Sequence, residues 1–284
     1  MFKKQLKIYK DSINIKLEEI LEKLKNKDCK YVFDAINYSL ISGGKLLRPV
    51  LTLAVCDMFN KNFKSALNFA AAVEFMHVGS LVHDDLPCMD DDSKRRGKDS
   101  CHIKFNECAA VLAGDAFFCS AFEILTYSKE DGILNEDIVK AVFLLSSMFG
   151  TKGTIAGQDM DMFLEFKKEN FSLIEKIAEY KTCCLMKAAC GLGAIAAKAN
   201  QKQIDLLNEY SKNLGLFFQI CDDVADYEKQ NLNKNKLDFV SIYGIKNAKQ
   251  KAKEHYYCSL KILEKFENSE FLKELTRFIF FKIS

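Results

Sequence analysis

Apolar residues recur along this chain with the period of an α-helix. Two stretches illustrate the pattern: Leu17, Ile20, Leu21 and Leu24, and far downstream Ile204, Leu207, Tyr210 and Leu214. Spacings of three and four residues place side chains on one face of a helix. We find no sustained run of alternating apolar and polar residues bounded by turn residues, which is the pattern of a strand. The sequence therefore predicts an all-α fold.

The distribution of helix-breaking residues bears on domain organisation. The 284 residues include only two prolines, Pro49 and Pro87, and 49% of the residues are apolar, which is ample for a sizeable core. No linker rich in proline, glycine or serine interrupts the chain, and no internal repeat divides it. We therefore predict a single domain over residues 1–284.

Charge and cysteine content narrow the class of protein. A net charge of +2 gives no long-range attraction to nucleic acid or to an anionic membrane. Residues 1–28 are too charged for a signal peptide, and we find no apolar run that approaches the roughly 20 residues that span a bilayer. Eleven cysteines, with no two at the spacing of a zinc or redox pair, predict buried reduced thiols. We expect a soluble, cytoplasmic protein with neither nucleic acid nor a membrane as partner.

Two groups of aspartates lie about half the chain apart, each at the downstream end of a stretch that reads as helix. The first comprises Asp84, Asp85 and Asp90, and the second comprises Asp222, Asp223 and Asp226. Carboxylates grouped so closely repel one another unless a cation lies between them. Mg²⁺ prefers oxygen ligands and shares the phosphates of its substrate. The two groups therefore predict a magnesium-bound phosphate ester.

Spacing within each group predicts its local geometry. Asp222 and Asp226 are four residues apart, so a continuous helix presents both on one face. Asp84 and Asp90 would fall on different faces of an unbroken helix, but Pro87 cannot continue the helical ladder and allows a bend that returns Asp90. A basic block follows at once: Lys94, Arg95, Arg96 and Lys98. Carboxylates that can bind a metal ion are thus followed directly by cationic side chains that can bind an anion.

Further motifs carry a resemblance to a known family. They are Gly43 to Pro49, His77, residues 83–97, Ala113-Gly114-Asp115, Gly157-Gln158, Lys181-Thr182 and Phe218-Gln219. With these positions in the expected order, the chain from about residue 30 to its end resembles the trans-isoprenyl diphosphate synthase family, of the bacterial short-chain type that makes farnesyl diphosphate.

The resemblance implies a fold and a reaction. The fold is one large bundle of helices around a central apolar cavity with both aspartate motifs at its mouth, usually in a homodimer. The reaction is a prenyl transfer in which an allylic diphosphate ionises, the double bond of isopentenyl diphosphate attacks the cation, and a proton leaves. The cofactor is Mg²⁺, with about three ions when substrate is bound, in keeping with its preference for carboxylate and phosphate oxygens.

The resemblance also implies roles for individual residues. Asp84, Asp90 and Asp222 would hold the metal ions, with Asp85, Asp223 and Asp226 as nearby or water-mediated ligands. The allylic diphosphate would be bound by Arg95, Lys181, Lys236 and Gln158. The diphosphate of isopentenyl diphosphate would be bound by Lys45, Arg48, His77 and Arg96. Thr182 and Gln219 would turn oxygen dipoles toward the carbocation beside Lys181.

Product length depends, in this family, on side chains about one turn before the first aspartate motif. Those positions are Gly79 and Ser80 here. Bacterial relatives that make farnesyl diphosphate often have an aromatic residue at the position of Gly79. A helical turn advances about 5.4 Å, close to the reach of one isoprene unit. Without a plug at Gly79, one more unit could enter until Phe75 or Met76 blocks it. We expect farnesyl diphosphate, with geranylgeranyl diphosphate as the alternative.

Other classes of protein compete with this interpretation. A terpene cyclase also ionises allylic diphosphates but has no use for a second anion site. An HD-type phosphohydrolase is suggested by His83-Asp84, yet such a site needs more histidine than the four that the chain contains. A non-catalytic partner subunit would be expected to lose metal ligands, whereas both aspartate groups are complete.

Overall fold

Helices account for nearly all of the regular structure. A computed structural model describes residues 1–59, 61–163, 171–228 and 238–283 of the protein, without the side chains of residues 171, 282 and 283. The first seven helices are α1 (Phe2–Leu24), α2 (Lys30–Ile41), α3 (Leu47–Met58), α4 (Leu67–Asp84), α5 (Cys101–Lys104), α6 (Glu107–Tyr127) and α7 (Asn135–Phe149). The next seven are α8 (Thr154–Phe163), α9 (Phe171–Ala178), α10 (Cys184–Ala196), α11 (Gln201–Glu228), α12 (Phe239–Tyr243), α13 (Ile245–Leu263) and α14 (Glu270–Ile283).

Shorter elements complete the described chain. A π-helix, Glu179–Cys183, lies between α9 and α10, and 3₁₀-helices span Lys27–Cys29 and Phe63–Ala66. Strands β1 (Lys94–Arg95) and β2 (Lys98–Asp99) pair antiparallel, with Arg95 opposite Lys98. Within the described residues this hairpin is the sole sheet. The all-α prediction is confirmed.

The chain divides into two compact units. The first unit contains Met1, Lys3–Leu53 and Asn62–Val142, and the second contains Phe2, Ala54–Lys61 and Phe143–Ser284. Helices α1, α3 and α7 contribute residues to both. The single domain over residues 1–284 stays a prediction.

In the first unit, α4 packs along α6. Helix α4 is apolar on nearly all sides, which favours a helix buried in a core. Phe75 of α4 packs edge-on against Phe117 of α6, with ring centroids 5.4 Å apart. Asn106 begins α6 by accepting a hydrogen bond from the Ala109 amide at 2.8 Å, which satisfies one of the unpaired donors at the helix start. This pairing fixes the end of α4, where the first aspartate motif begins.

In the second unit, α11 packs against α10, α13, α14 and the π-helix. Its apolar face buries Leu207, Tyr210 and Leu214, as the spacing predicted. The hydroxyls of Tyr210 and Thr276 are 3.1 Å apart, so the buried phenol has a hydrogen-bond partner. The second aspartate motif thus lies on a helix that is held along its length.

Two expectations from the sequence need correction. Three helical segments, Phe63–Asp84, Glu107–Tyr127 and Asn135–Phe163, are long and apolar enough to cross a membrane by length and composition, so the statement that no run approaches this length is wrong. In the first of them, 72% of the apolar window is buried inside the protein. The prediction that the cysteines are buried is only partly correct. Five of them are exposed, namely Cys29, Cys88, Cys108, Cys119 and Cys258, and the other six are buried.

Candidate active site

The first aspartate motif begins at the end of α4 and turns back on itself. The Asp90 amide donates to the Asp84 carbonyl at 2.9 Å, and the Met89 amide donates to the Leu86 carbonyl at 2.8 Å. Pro87 lies inside this turn and ends the helix, as its missing N–H and fixed φ require. The predicted return of Asp90 toward Asp84 is therefore confirmed.

The buried side chain of Asp85 is held by an arginine. It is 2% exposed, and it accepts a hydrogen bond from Arg95 Nε at 2.8 Å and a further one from Arg95 Nη2. Burial raises the pKa of the Asp85 carboxyl, and the Arg95 hydrogen bonds oppose that rise and favour the ionised form. Asp92 binds the same guanidinium at 2.8 Å. Asp85 and Asp92 therefore fix the orientation of Arg95.

A tight hairpin positions the next arginine. Arg96 and Gly97 form the two-residue loop between β1 and β2, with φ of +54° and +79°. Two consecutive positive φ values are typical of the type I′ turn that suits the twist of antiparallel strands. A Cβ atom on Gly44 would lie 2.9 Å from Arg96 Nη1, so the guanidinium rests directly on the Gly44 backbone. A side chain at residue 44 would displace it.

His77 and Arg48 lie beside each other in the same unit. Arg48 Nη1 is 3.4 Å from His77 Nε2. Burial lowers the pKa of His77 well below its usual value, and Arg48, Arg96 and Arg95 lower it further. A neutral imidazole can accept the Arg48 hydrogen bond at Nε2. Lys45 is exposed in the loop that leads into α3.

Glu74 is a functional candidate that the sequence analysis missed. It is 3% exposed on α4, one turn before His77. Burial raises the pKa of Glu74, and Arg48 and Arg96 oppose that rise. A carboxylate here offsets the mutual repulsion of the two arginines. An acidic residue inside an otherwise apolar helix, three residues before His77, was the available signal.

An open cavity lies beside these groups in the first unit. It is open to solvent, and its lining includes Val78, Asp85, Arg95 and Arg96. The Tyr38 hydroxyl donates to the Asp99 carbonyl at 2.8 Å and so connects α2 to the hairpin. The structure thus places fixed cations at a solvent-open hollow, an arrangement suited to a phosphate group.

The second aspartate motif follows the predicted helical spacing. Helix α11 continues through Asp222, Asp223 and Asp226, so Asp222 and Asp226 share one face. The Asp223 carboxylate accepts two hydrogen bonds from the protein, one from Gln219 Nε2 at 2.8 Å and one from the Phe239 amide at 2.9 Å. Burial raises the pKa of Asp223 to about 7, although these two hydrogen bonds lower it.

Thr182 and Gln219 are brought together as the resemblance implies. The Thr182 hydroxyl donates to Gln219 Oε1 at 2.9 Å, and the Gln219 amide donates to Asp223. The chain of hydrogen bonds fixes which end of the Gln219 amide faces Thr182. Thr182 is 8% exposed, so this polar pair lies in a largely dry environment.

Lys181 projects from the π-helix and pairs with a residue that the sequence did not single out. Its Nζ is 2.6 Å from Asp161 Oδ2, and Asp161 lies three residues after Gln158 on α8. A Cβ atom on Gly157 would lie 2.3 Å from the Lys181 backbone nitrogen. Glycine therefore allows the backbone of α8 to approach the π-helix at Lys181. Lys236 lies outside the described residues.

The chain-length region is more crowded than the sequence suggested. A Cβ atom on Gly79 would lie 2.7 Å from Phe117 Cβ and 2.8 Å from Phe118 Cε1. The Phe118 ring also packs edge-on against His83, with centroids 5.3 Å apart. Ser80 donates to the His77 carbonyl at 2.8 Å, while Phe75 and Met76 are fully buried. Aromatic side chains of α6 therefore fill the direction in which a side chain at residue 79 would point.

The donor set fits Mg²⁺, which takes carboxylate oxygens from the protein and completes its coordination with water and substrate phosphate. In the part of the chain that the structure describes, no three His, Cys, Asp or Glu side chains converge as a site on their own. Asp84, Asp90 and Asp222, which the resemblance assigns to the metal, are oxygen donors of this kind. Asp85 and Asp223 are carboxylates too, and both also accept hydrogen bonds from the protein.

Comparisons with known proteins agree with this chemistry. A family model described as polyprenyl synthetase matches residues 29–279. The chain is 40% identical to the farnesyl diphosphate synthase of Buchnera aphidicola over 282 residues, which cover 96% of each chain. It is 37% identical to geranylgeranyl pyrophosphate synthase 11 of Arabidopsis thaliana over 232 residues, which cover 77% of this chain and 65% of that protein. The solved structure of a geranyltransferase from Legionella pneumophila matches with a TM-score of 0.91 and 30% sequence identity. The match covers 100% of this chain and 97% of the Legionella chain.

Proposed function

The chain belongs to the polyprenyl synthetase family, and we propose that it is a prenyltransferase that joins dimethylallyl or geranyl diphosphate to isopentenyl diphosphate to give farnesyl diphosphate. Full-length relatives at 36–40% identity are farnesyl diphosphate synthases. Geranylgeranyl diphosphate synthases are also similar, but over a smaller share of the chain. Two features of the first unit support the proposal: Asp85 at the end of α4 is hydrogen-bonded to Arg95, and Arg48 and Arg96 lie close enough to the buried Glu74 to affect its pKa.

The reaction needs stabilisation of charge more than it needs a protein nucleophile. The carbon–oxygen bond of the allylic diphosphate breaks, and pyrophosphate leaves with the electron pair. The double bond of isopentenyl diphosphate forms the new carbon–carbon bond with the allylic cation. Loss of one proton to the departing pyrophosphate restores a double bond. Preorganised positive charge at the leaving group is therefore the main catalytic requirement.

The first unit supplies one set of anion ligands. Lys45, Arg48, His77 and Arg96 bind the diphosphate of isopentenyl diphosphate in this proposal. The Arg48–His77 contact and the seat of Arg96 on Gly44 support it, because both orient donors before substrate arrives. A diphosphate surrounded by fixed cations needs no metal ion of its own.

By the family resemblance, the allylic diphosphate is bound by Arg95, Lys181 and Gln158, with Lys236 as a further candidate. Mg²⁺ held by Asp84, Asp90 and Asp222, with Asp226 nearby, would neutralise charge on the leaving group. Thr182 and Gln219 turn oxygen dipoles toward the cation, which stabilises positive charge without trapping it. The hydrogen bond from the Thr182 hydroxyl to Gln219 Oε1 supports this role, because it fixes where the amide oxygen of Gln219 lies.

From the family resemblance we also infer that the protein forms a homodimer and is a soluble, cytoplasmic enzyme. The substrates are small diphosphates, and neither nucleic acid nor a membrane takes part in the reaction.

The direct test is product analysis with the wild-type chain. We expect conversion of isopentenyl diphosphate and geranyl diphosphate, with Mg²⁺, to a fifteen-carbon diphosphate. The products are dephosphorylated and separated by chromatography against farnesol and geranylgeraniol. A dominant twenty-carbon alcohol would favour the alternative product, and release of pyrophosphate without a longer chain would contradict the prenyltransferase.

The second anion site separates a synthase from a terpene cyclase. We expect Lys45→Ala to raise KM for isopentenyl diphosphate about tenfold with a smaller change in kcat, because a charge-assisted contact contributes about 1.5–3 kcal/mol. Activity should recover partly when isopentenyl diphosphate is in excess. Lys64→Ala, which removes another exposed lysine of the first unit, is the matched control and should leave both constants unchanged. A cyclase would convert allylic diphosphate alone, with no dependence on residue 45.

A further inference from the structure

The π-helix carries two residues of the proposed site, Lys181 and Thr182, and both have partners in the second unit. Lys181 pairs with Asp161, and Thr182 donates to Gln219. π-Helical turns are rare and costly relative to the α-helix, and they often occur at functional sites. A turn of this kind persists only where its surroundings determine it. The contacts that hold it are therefore part of the site.

Glu179, the first residue of the π-helix, makes the most extensive of these contacts. Its Oε1 accepts from Lys187 Nζ at 2.8 Å, and its Oε2 accepts from Lys212 Nζ at 2.7 Å. The Glu179 carbonyl also accepts from the Cys184 amide, five residues on, which is the hydrogen bond of a π-turn. One residue thus fixes the turn through its backbone and binds two neighbouring helices through its side chain.

The two lysines connect that residue to rigid elements. Lys187 lies on α10, and Lys212 lies on α11, one turn before Gly215. The Cys183 thiol contacts the Lys212 carbonyl at 3.4 Å. A Cβ atom on Gly215 would lie 2.6 Å from the Cys183 sulfur, so the π-helix and α11 are in close contact there. Burial raises the pKa of Glu179, but the hydrogen bonds from both lysines outweigh it and keep the pKa below its usual value.

We propose that Glu179, through its ion pairs with Lys187 and Lys212, is a positioning residue that holds the π-helix in the register needed for Lys181 and Thr182 to act on the allylic substrate. This inference rests on the proposed function. Glu179 touches neither substrate nor metal in it. The Glu179 carboxylate binds Lys187 and Lys212, while Lys181 and Thr182 have other partners, Asp161 and Gln219.

The chain offers a matched control one turn upstream. Glu175 lies on α9, four residues before Glu179, and it also binds two donors, Tyr243 at 2.8 Å and Lys251 at 2.6 Å. Those donors lie on α12 and α13. Glu175→Gln and Glu179→Gln therefore each remove one charge that bridges two partners. They differ in whether the partners hold the π-turn.

The test compares these variants in kinetics with geranyl diphosphate and isopentenyl diphosphate. We expect Glu179→Gln to lower kcat about tenfold and raise KM for geranyl diphosphate, since small misplacements of catalytic groups cost one to two orders of magnitude. KM for isopentenyl diphosphate should stay within about twofold, and Glu175→Gln should leave all constants within about twofold. Lys212→Met removes one of the two donors to Glu179 and should lower kcat and raise KM for geranyl diphosphate by smaller factors. This variant replaces Glu179→Gln in the test if Glu179→Gln does not fold.

Amide hydrogen exchange gives a readout that does not need activity. Exchange at residues 179–184 should accelerate in Glu179→Gln and not in Glu175→Gln. Equal kinetics and equal exchange in the two variants would overturn the positioning role. So would a Glu179→Gln variant that raises KM for both substrates equally. Wild-type enzyme that makes no prenyl product would instead refute the proposed function, and exchange would still decide whether Glu179 holds the turn.

Discussion

Asp84→Asn is expected to lower kcat about a thousandfold, which is roughly 4 kcal/mol of transition-state stabilisation, the scale of a metal ion at a leaving phosphate. The amide keeps one oxygen but loses the charge that would bind Mg²⁺. The local fold should survive, because the contact from Asp90 uses the Asp84 backbone carbonyl and not its side chain. Steady-state kinetics across a Mg²⁺ titration, with thermal unfolding alongside, measure both effects.

Asp91→Asn is the matched control for this experiment. Asp91 is exposed, adjoins the motif and has a φ of +53°, a conformation that asparagine also tolerates. We expect its kinetics and its Mg²⁺ dependence to match those of the wild type. If Asp84→Asn retained more than about a third of wild-type kcat at saturating Mg²⁺, Asp84 would not be a metal ligand.

Phe118→Ala is expected to lengthen the product from fifteen to twenty carbons, with a change of more than tenfold in the product ratio. Its ring lies in the direction in which a side chain at Gly79 would point, the position from which the family resemblance implies that an aromatic residue limits product length. A single methylene in an apolar pocket changes selectivity by about 1–3 kcal/mol, so removal of a whole ring is expected to exceed a tenfold change. Chromatography of the dephosphorylated products from geranyl diphosphate measures the ratio.

Cys119→Ala controls for disturbance of α6, because Cys119 is the exposed neighbour of Phe118. It should leave the product unchanged. Gly79→Tyr is expected mainly to lower the free energy of unfolding, by about 1–3 kcal/mol, because Phe117 Cβ cannot yield without movement of the α6 backbone. An unchanged fifteen-carbon product in Phe118→Ala would show that this ring does not limit the chain.

The sequence predicted those parts of the site that depend on local geometry. The return of Asp90 follows from Pro87, and the shared face of Asp222 and Asp226 follows from a spacing of four. The resemblance also paired Thr182 with Gln219 correctly as neighbours. Glu74 was missed although an acidic residue inside an apolar helix was a signal, whereas Asp161 and Glu179 are ordinary acidic residues until their partners are known.

Two contacts could not be predicted from the sequence. Asp85, which the resemblance implies as a nearby or water-mediated metal ligand, accepts hydrogen bonds from Arg95, ten residues further along the chain. Gly79 looked like an opening, but aromatic side chains from α6 fill the space. Neither contact has a signature in the local spacing of residues, since both depend on which faces of distant segments meet.

The amino-acid order alone determined the helical class, the family and the position of both aspartate motifs, because periodicity and proline placement act over a few residues. The tertiary structure decided which charges are paired, which way Gln219 faces and where a helix needs glycine. Those features depend on crossing positions and side-chain rotamers between segments that lie tens of residues apart, and burial makes them energetically decisive.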